Sequence, residues 1–253
     1  SNIIAIFNDA TGVQAPQGTP ITQKGFNDLV VDTDGVLRRD LVHVASKDKS
    51  LASLPMRLYM QSTGKKNIIR WLENYADSAF VDIWLQPNSG GYRNVDANGY
   101  QRMLEFLKPG SFSTISLQYV NNSLESNLSK ILQGRSVLIG SVAPSLNDLF
   151  EVPHSRFIDR STQFRMSGVE IHAHRLAGLY KGLYASNTNI RTITESSKYI
   201  LELLVIIFSI YIGEILDSMR KGIILASVAI LLISTIFVTS YWFYRIWLEI
   251  ALP

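Results

Sequence analysis

Short β-rich apolar runs separated by stretches of helical period predict an α/β fold, a layered sandwich with a mostly parallel central sheet, followed by an α-helical transmembrane hairpin. Three observations carry this expectation. Residues 2–9, "NIIAIFND", and 136–144, "SVLIGSVAP", are apolar without polar alternation, as strands covered on both faces are. Residues 50–64 and 66–76 place Leu51, Leu54, Leu58 and then Ile68, Ile69, Leu72, Tyr75 at helical intervals. Residues Gly222–Tyr244 carry no charge, and at helical rise they would extend about 34 Å, enough for a hydrocarbon core of about 30 Å.

Each element is argued from its residues. The Ile-rich opening run ends in Asn8 and feeds a loop over 11–20, rich in Gly and Pro. Residues 25–44 hold two β-rich runs, Leu29–Val31 and Val36–Val44, joined across "DTDG". Asp-Gly between such runs signals a hairpin, because it tolerates the backbone of a tight turn. The helix over 50–64 opens after Ser50 and carries Pro55 early, where a missing N–H costs little. Residues 111–123, "SFSTISLQYVNNS", lean β and then turn; 124–135 are amphipathic, with Gly134 as C-cap. The run 136–144 reads as a strand ending at Gly and Pro, and 169–184 as a helix or a passage from strand to helix. Two membrane helices are expected at about 199–216 and 222–244, joined by "DSMRKG", too short for anything but an antiparallel hairpin. Glu202 and Glu214 bracket the apolar part of the first. Tyr241, Trp242, Phe243, Tyr244 and Trp247 suit an interfacial belt at the end of the second. The domains are therefore 1–198, soluble, and 199–253, membrane-embedded.

Charge divides along the same line. Of the 24 basic and 21 acidic residues, three and four lie beyond Lys198, which leaves 21 and 17 in residues 1–198. That balance is mild and forms no dense Lys/Arg stripe with interleaved aromatics, so nucleic acid is not a partner. No cysteine is present, which excludes disulfide scaffolds and Cys-based zinc sites. The chain opens inside an apolar run with neither an initiator Met nor a signal-peptide pattern, and is expected to be a piece of a longer protein. Arg220 and Lys221 in the short link favour a cytoplasmic link and an external domain, whereas Lys181, Arg191 and Lys198 argue the other way.

Three stretches invite a chemical reading. In "GVEIHAHRL", residues 168–176, Glu170 and His174 share a face if the backbone is helical, and Glu170, His172 and His174 share one if it is extended. An extended His-x-His pair with Asp148 or His154 would suit zinc; otherwise Val169 and Ile171 are buried and His172 bonds locally at a helix start. No H-E-x-x-H accompanies it, so no metal is assigned. In "DTDGVLRR", Asp32, Asp34 and Gly35 form half of a calcium loop and lack its distal Glu; they read as a turn. Arg38 and Arg39 are an alternative anion grip, although consecutive strand residues send only one guanidinium to any face. Ser141 and Asp148 lie in the loop after 136–140, outside the carboxyl end of a strand, where α/β ligands sit; the same loop also suits a helix cap. Neither a P-loop, a G-x-G-x-x-G nor a G-x-S-x-G occurs, so no cofactor and no catalytic residue is assigned.

"GRSVLIGSVAPSLNDLFEVP" (134–153) followed by "MSGVEIHAHRL" (166–176) resembles the CHASE2 domain, an extracytoplasmic sensory module of bacterial membrane receptors. Val137–Gly140, Asp148, Val152–Pro153 and Gly168–Ala173 stand where that family has its strand, Asp, Pro and G-V-E-I-H-A run. "DTDGVLRRDL" (32–41), "SLP" (53–55) and "FSTISL" (112–117) fall in the same order. The resemblance covers roughly 2–184 and implies an external domain on a multi-pass segment of the bacterial inner membrane, feeding a cytoplasmic output domain. The family pattern also has a leading transmembrane helix and a first strand-helix unit, which this sequence lacks, and usually three helices after the domain, of which two are visible. Asp32, Asp34, Gly35, Gly140, Gly168, Glu170 and His172 are its structural residues here. Candidate ligand contacts are Arg38, Arg39, Ser141, Asp148 and His172.

Three functions fit these residues. The first is a sensor that binds an unknown small-molecule or envelope signal, sits in the lipid bilayer and works as a homodimer. The second is a structural or binding subunit anchored in the membrane. The third is a metal hydrolase built on His172, His174 and Asp148.

Overall fold

The computed structural model describes residues 2–8, 10–46, 49–65, 67, 72, 81–108, 110–156, 165–184, 189–215, 219–244 and 246–247. In chain order its main elements are β1 (Ala5–Phe7), β2 (Lys24–Phe26), β3 (Arg39–Ser46), β4 (Lys49–Ala52), α1 (Leu54–Thr63), β5 (Val81–Asp82) and β6 (Tyr100–Met103). They continue with α2 (Leu117–Asn122), α3 (Glu125–Leu132), β7 (Leu149–Phe150), β8 (Met166–Ser167), α4 (Gly168–Tyr184), β9 (Arg191–Ile193), α5 (Glu195–Ile215), α6 (Met219–Tyr244) and β10 (Ile246–Trp247). Two compact units result, one of residues 1–68 with 104–184, the other of 69–103 with 185–253.

The chain is mixed α/β, but the described strands form several small sheets rather than a mostly parallel central one. In the first unit β1 pairs β2 in parallel, while β3–β4 and β7–β8 are antiparallel. The cause is local for β3 and β4. They are nearly adjacent in the chain, and strands joined by so short a link pair antiparallel, since a parallel neighbour needs a long crossover. Residues 136–143 are extended yet join no sheet among the described residues, and Ile139 is 92% exposed.

The turn at 32–36 forms as expected, but 29–31 and 36–38 do not become strands: the Asp32 N–H donates to the Val36 carbonyl at 3.1 Å, and Gly35 has φ 82°. Val30 bridges Arg39 across it. Helix α1 starts later than its apolar spacing predicts, because residues 49–52 are drawn into pairing with 43–46. Its cap is then Ser53, whose Oγ accepts from the Met56 N–H, and Gly64 closes it at φ 70°. The helix expected over 66–76 lies largely outside the described residues. Residues 117–122 are helical rather than β, since Ser116 accepts from the Tyr119 N–H and caps a turn. The C-cap of α3 is Gln133 rather than Gly134: Gln133 leaves the helix at ψ 131°, and Gly134, at φ 72°, sits in the turn that follows.

One core cluster orders the first unit. Leu37, Leu104, Val152, Met166 and Ile171 are buried together, with Leu29, Phe106 and Phe150 packed against them. It joins the hairpin, the segment after β7 and the first turns of α4; full burial of each such side chain contributes about 1.5–3 kcal/mol. Along α4, Tyr180 packs edge-on against Tyr59 of α1 at 5.6 Å.

In the second unit β9 pairs β5 antiparallel and β10 in parallel. Because β9 leads into α5 and β10 follows α6, the chain emerging from α6 is returned beside the start of α5. Trp247 is seated against Gly90 and Gly91 and stands edge-on to Tyr92 at 5.6 Å. The span Gly222–Phe243 of α6 is long and apolar enough to cross a membrane, with mean hydropathy 2.5 and none of it buried. The flanks of α5 and α6 are covered with exposed large apolar side chains, Leu203, Phe208, Leu231 and Trp242 among them.

Candidate functional site

The run "GVEIHAHRL" starts a helix. Met166–Ser167 ends a strand, and Gly168 is the first residue of α4. At Gly168 a Cβ would lie 2.5 Å from the Asp148 carboxylate, which would have to swing away. At Gly140 a Cβ would lie 2.6 Å from that of Val169. These two approaches bring the extended segment 136–142 and the loop after it onto the first turn of α4.

The same arrangement leaves a cavity of about 630 Å³ in the first unit. Its apolar wall includes Ile3, Ile4, Leu54, Leu58, Leu138 and Val169; its polar lining includes Asn8, Asp28, Asp148 and His172. The Asp148 carboxyl is pushed up from its ordinary range by burial, and the Gly168 N–H opposes that shift. The Asn8 side chain is engaged in its own turn, accepting from Thr11 N–H at 2.7 Å and donating to Asn27 Oδ1 at 3.1 Å.

His172 is held from behind. Arg175, one turn along α4, places Nη1 at 3.1 Å from His172 Nδ1. A guanidinium only donates, so Nδ1 is the acceptor and the imidazole is neutral with its proton on Nε2. Burial, reinforced by the Arg175 charge, lowers the His172 pKa to about 3. Arg175 also donates from Nε to Asp40 Oδ1 at 2.5 Å and from Nη2 to the Leu41 carbonyl at 2.6 Å. Both side chains of this pair are 1% exposed.

The other expected residues go elsewhere. Arg38 and Arg39 do not line the cavity. Arg38 forks onto Asp34 at 2.7 and 2.8 Å and reaches Asp32 Oδ2 at 2.9 Å, while Arg39 Nε takes Asp32 Oδ1 at 2.7 Å. Both guanidiniums thus meet one carboxylate, contrary to the opposite-face expectation, because Arg38 precedes the strand that Arg39 begins. Ser141 accepts from the Ala143 N–H at 3.1 Å and is not among the cavity residues. Glu170 is half-buried on the first turn of α4.

His172 and His174 do not converge. His174 Nδ1 accepts the Leu107 N–H at 3.1 Å, and its ring lies between Phe112 at 4.9 Å and Phe106 at 5.4 Å. Among the described residues no group of three His, Asp or Glu side chains is disposed to hold a metal ion. Two participants escaped sequence reasoning: Asp40 lies 135 positions from Arg175, and Asp28 carries no motif. Arg175 was missed as well, although its place three residues after His172, on the same helical face, is a signal that could have found it.

Three imidazoles set a pH dependence. Burial lowers His43 and His174 to about 4 and His172 to about 3. In the unfolded chain each titrates near 6.5. Between these values the unfolded state binds more protons, so stability is fully present above 6.5 and lost as pH falls toward the folded values. The thermal midpoint of the full chain is expected to fall steadily from about pH 7 to about pH 5, and His174→Asn should flatten that fall. A midpoint flat across the range, or a slope untouched by the substitution, contradicts this.

The family model of the CHASE2 domain matches residues 2–215, most of the chain. No curated protein and no solved structure matches it.

Proposed function

This chain belongs to the CHASE2 family of extracellular sensory domains, and on that premise we propose that it is the signal-input module of a bacterial transmembrane receptor. The observation that carries the proposal is the double use of α4. Its first turn lines the cavity through Gly168, Val169 and His172, and its second turn is anchored to Asp40 and Leu41 through Arg175. A signal in the cavity therefore bears on a helix whose chain continues, within about a dozen residues, into α5. Such a signal shifts the receptor only by its difference in affinity for the two states.

The membrane part fits this role. The β9–β10 pairing, which sets the strand before α5 beside the strand after α6, supports a reading in which the two helices cross as a hairpin with both ends outside. The link carrying Arg220 and Lys221 then faces the cytoplasm, in keeping with the positive-inside rule. The signal passes through these helices to a cytoplasmic output domain, with two copies acting as a dimer. The module performs no chemistry of its own.

Crosslinking tests this reading, since the chain has no cysteine of its own. In membranes, Tyr184→Cys and Lys198→Cys should each give disulfide-linked dimers. Filling the cavity with Leu58→Trp should change the rate of linkage by about threefold or more, as a population shift would. Identical rates at both positions, with and without the cavity filled, would defeat the transmission idea.

A further inference from the structure

The cavity in the first unit has a one-sided charge inventory. Among the described residues its lining holds two carboxylates, Asp28 and Asp148, and neither a Lys nor an Arg. The imidazole of His172 is committed as an acceptor to Arg175 and is neutral, and the charge of Arg175 is matched by Asp40. The Asp148 carboxylate faces Gly168 at the head of α4. The Gly168 N–H donates to the Asp148 backbone carbonyl at 3.1 Å and lies beside the carboxylate without bringing a full positive charge; burial displaces the Asp148 pKa upward despite it. Asp28 is built into the wall by its own bond, Oδ1 accepting the Ala10 N–H at 3.1 Å. Arg175 Nη1 donates to the Asp28 backbone carbonyl at 3.4 Å, so that guanidinium, matched by Asp40, lies behind this part of the wall.

The rest of the lining is aliphatic, and part of it is open to water. Ile3 is 71% exposed and Ile139 92% exposed, both on the border of the cavity. Large aliphatic side chains in water gain when a ligand covers them. The volume, about 630 Å³, is that of sites for small organic molecules.

We infer that this cavity binds an organic cation with an aliphatic body, its ammonium set against Asp148 on the Asp28 side and its chain laid along Ile3, Leu58, Leu138 and Ile139. An anion of the same shape would meet carboxylates and no cation in the lining. A neutral analogue would gain the aliphatic contacts alone. The inference rests on the reading of this cavity as the sensory site and names the class of signal that it takes.

The test uses the full chain in membranes with one introduced thiol, Ile139→Cys, at the rim. The probes are n-octylammonium, n-octanol and n-octanoate, and the readout is the rate of maleimide modification. Octylammonium should protect the thiol at concentrations at least about tenfold below those at which octanoate does, with octanol between. Protection should strengthen along the alkylammonium series, by up to about fourfold per methylene. Asp148→Asn should narrow the gap between cation and anion; Asp28→Asn should do so too, and serves if the first change disturbs α4. A control thiol at Leu117→Cys, 70% exposed and outside the cavity, should be unaffected. The inference is overturned if octanoate or octanol protects as well as octylammonium, if no probe protects, or if the control thiol is protected equally. The same additions made to the Lys198→Cys crosslinking assay separate the two readings. Protection of the Ile139→Cys thiol with unchanged crosslinking leaves the ligand class standing and removes the transmission idea. Changed crosslinking without selective protection does the reverse.

Discussion

Replacing Arg175 by methionine is expected to cost the first unit about 3–5 kcal/mol, the size of loss seen when one partner of a buried pair is removed. Arg175 and Asp40 are each 1% exposed and meet at 2.5 Å. With the guanidinium gone, the Asp40 carboxylate loses the counter-ion it is buried against. The Leu41 carbonyl loses its donor, which was 2.6 Å away, and His172 Nδ1 loses the donor at 3.1 Å. An unsatisfied buried acceptor adds to the loss. The pair is not expected to be worth that amount in itself, because desolvating two charges offsets most of their attraction. The double variant Asp40→Leu with Arg175→Met should therefore recover a large part of the stability. Pulse proteolysis of the full chain in urea reads the difference. A single Arg175→Met variant as resistant as the parent, or a double variant weaker than either single one, would show that the pair is not the anchor of α4.

That anchor also marks where the sequence ceases to be readable. What was legible was local. The turn at Asp32–Gly35 forms because Asp-Gly tolerates its backbone, and Gly134 uses the same freedom in the turn after α3. The start of α4 at "GVEIHAHRL" was legible as a helix or a passage from strand to helix. Asp148 and His172 share a cavity, but 136–140 form no strand there, so the strand-end rule is not what places them. The misreadings have one cause, the competition between local pattern and distant partners. Ser50 has the residue type of a cap, yet it pairs with Ala45 and leaves capping to Ser53. The run Ser113–Ser116 looks β-rich, yet the hydroxyl of Ser116 caps residues 117–122 into a helix. "SVLIG" has the composition of a central strand, but a strand needs a neighbour, and composition does not supply one. The pairing of Arg175 with Asp40 spans 135 residues and is decided by tertiary packing, so neither residue announces it.

Placing a charge at the centre of α6 is the second change with a large expected effect. Leu232 sits midway along Gly222–Phe243 and is 58% exposed on that helix. In a hydrocarbon core an arginine at the midpoint of a helix costs about 2.5–3.5 kcal/mol, and the leucine it replaces forfeits about half a kcal/mol more. Leu232→Arg should therefore cut the fraction of chains that resist alkaline extraction from membranes by at least about tenfold. Lys in place of Trp242, 74% exposed near the helix end, should be tolerated, because a charge there reaches the interface. The contrast between the two positions is what a bilayer predicts and a protein core does not. In a buried helix of a water-soluble assembly both charges would disturb packing according to their contacts, with no dependence on depth. Equal extraction of the two variants would remove α6 from the membrane, and with it the proposed route from the cavity to the far side.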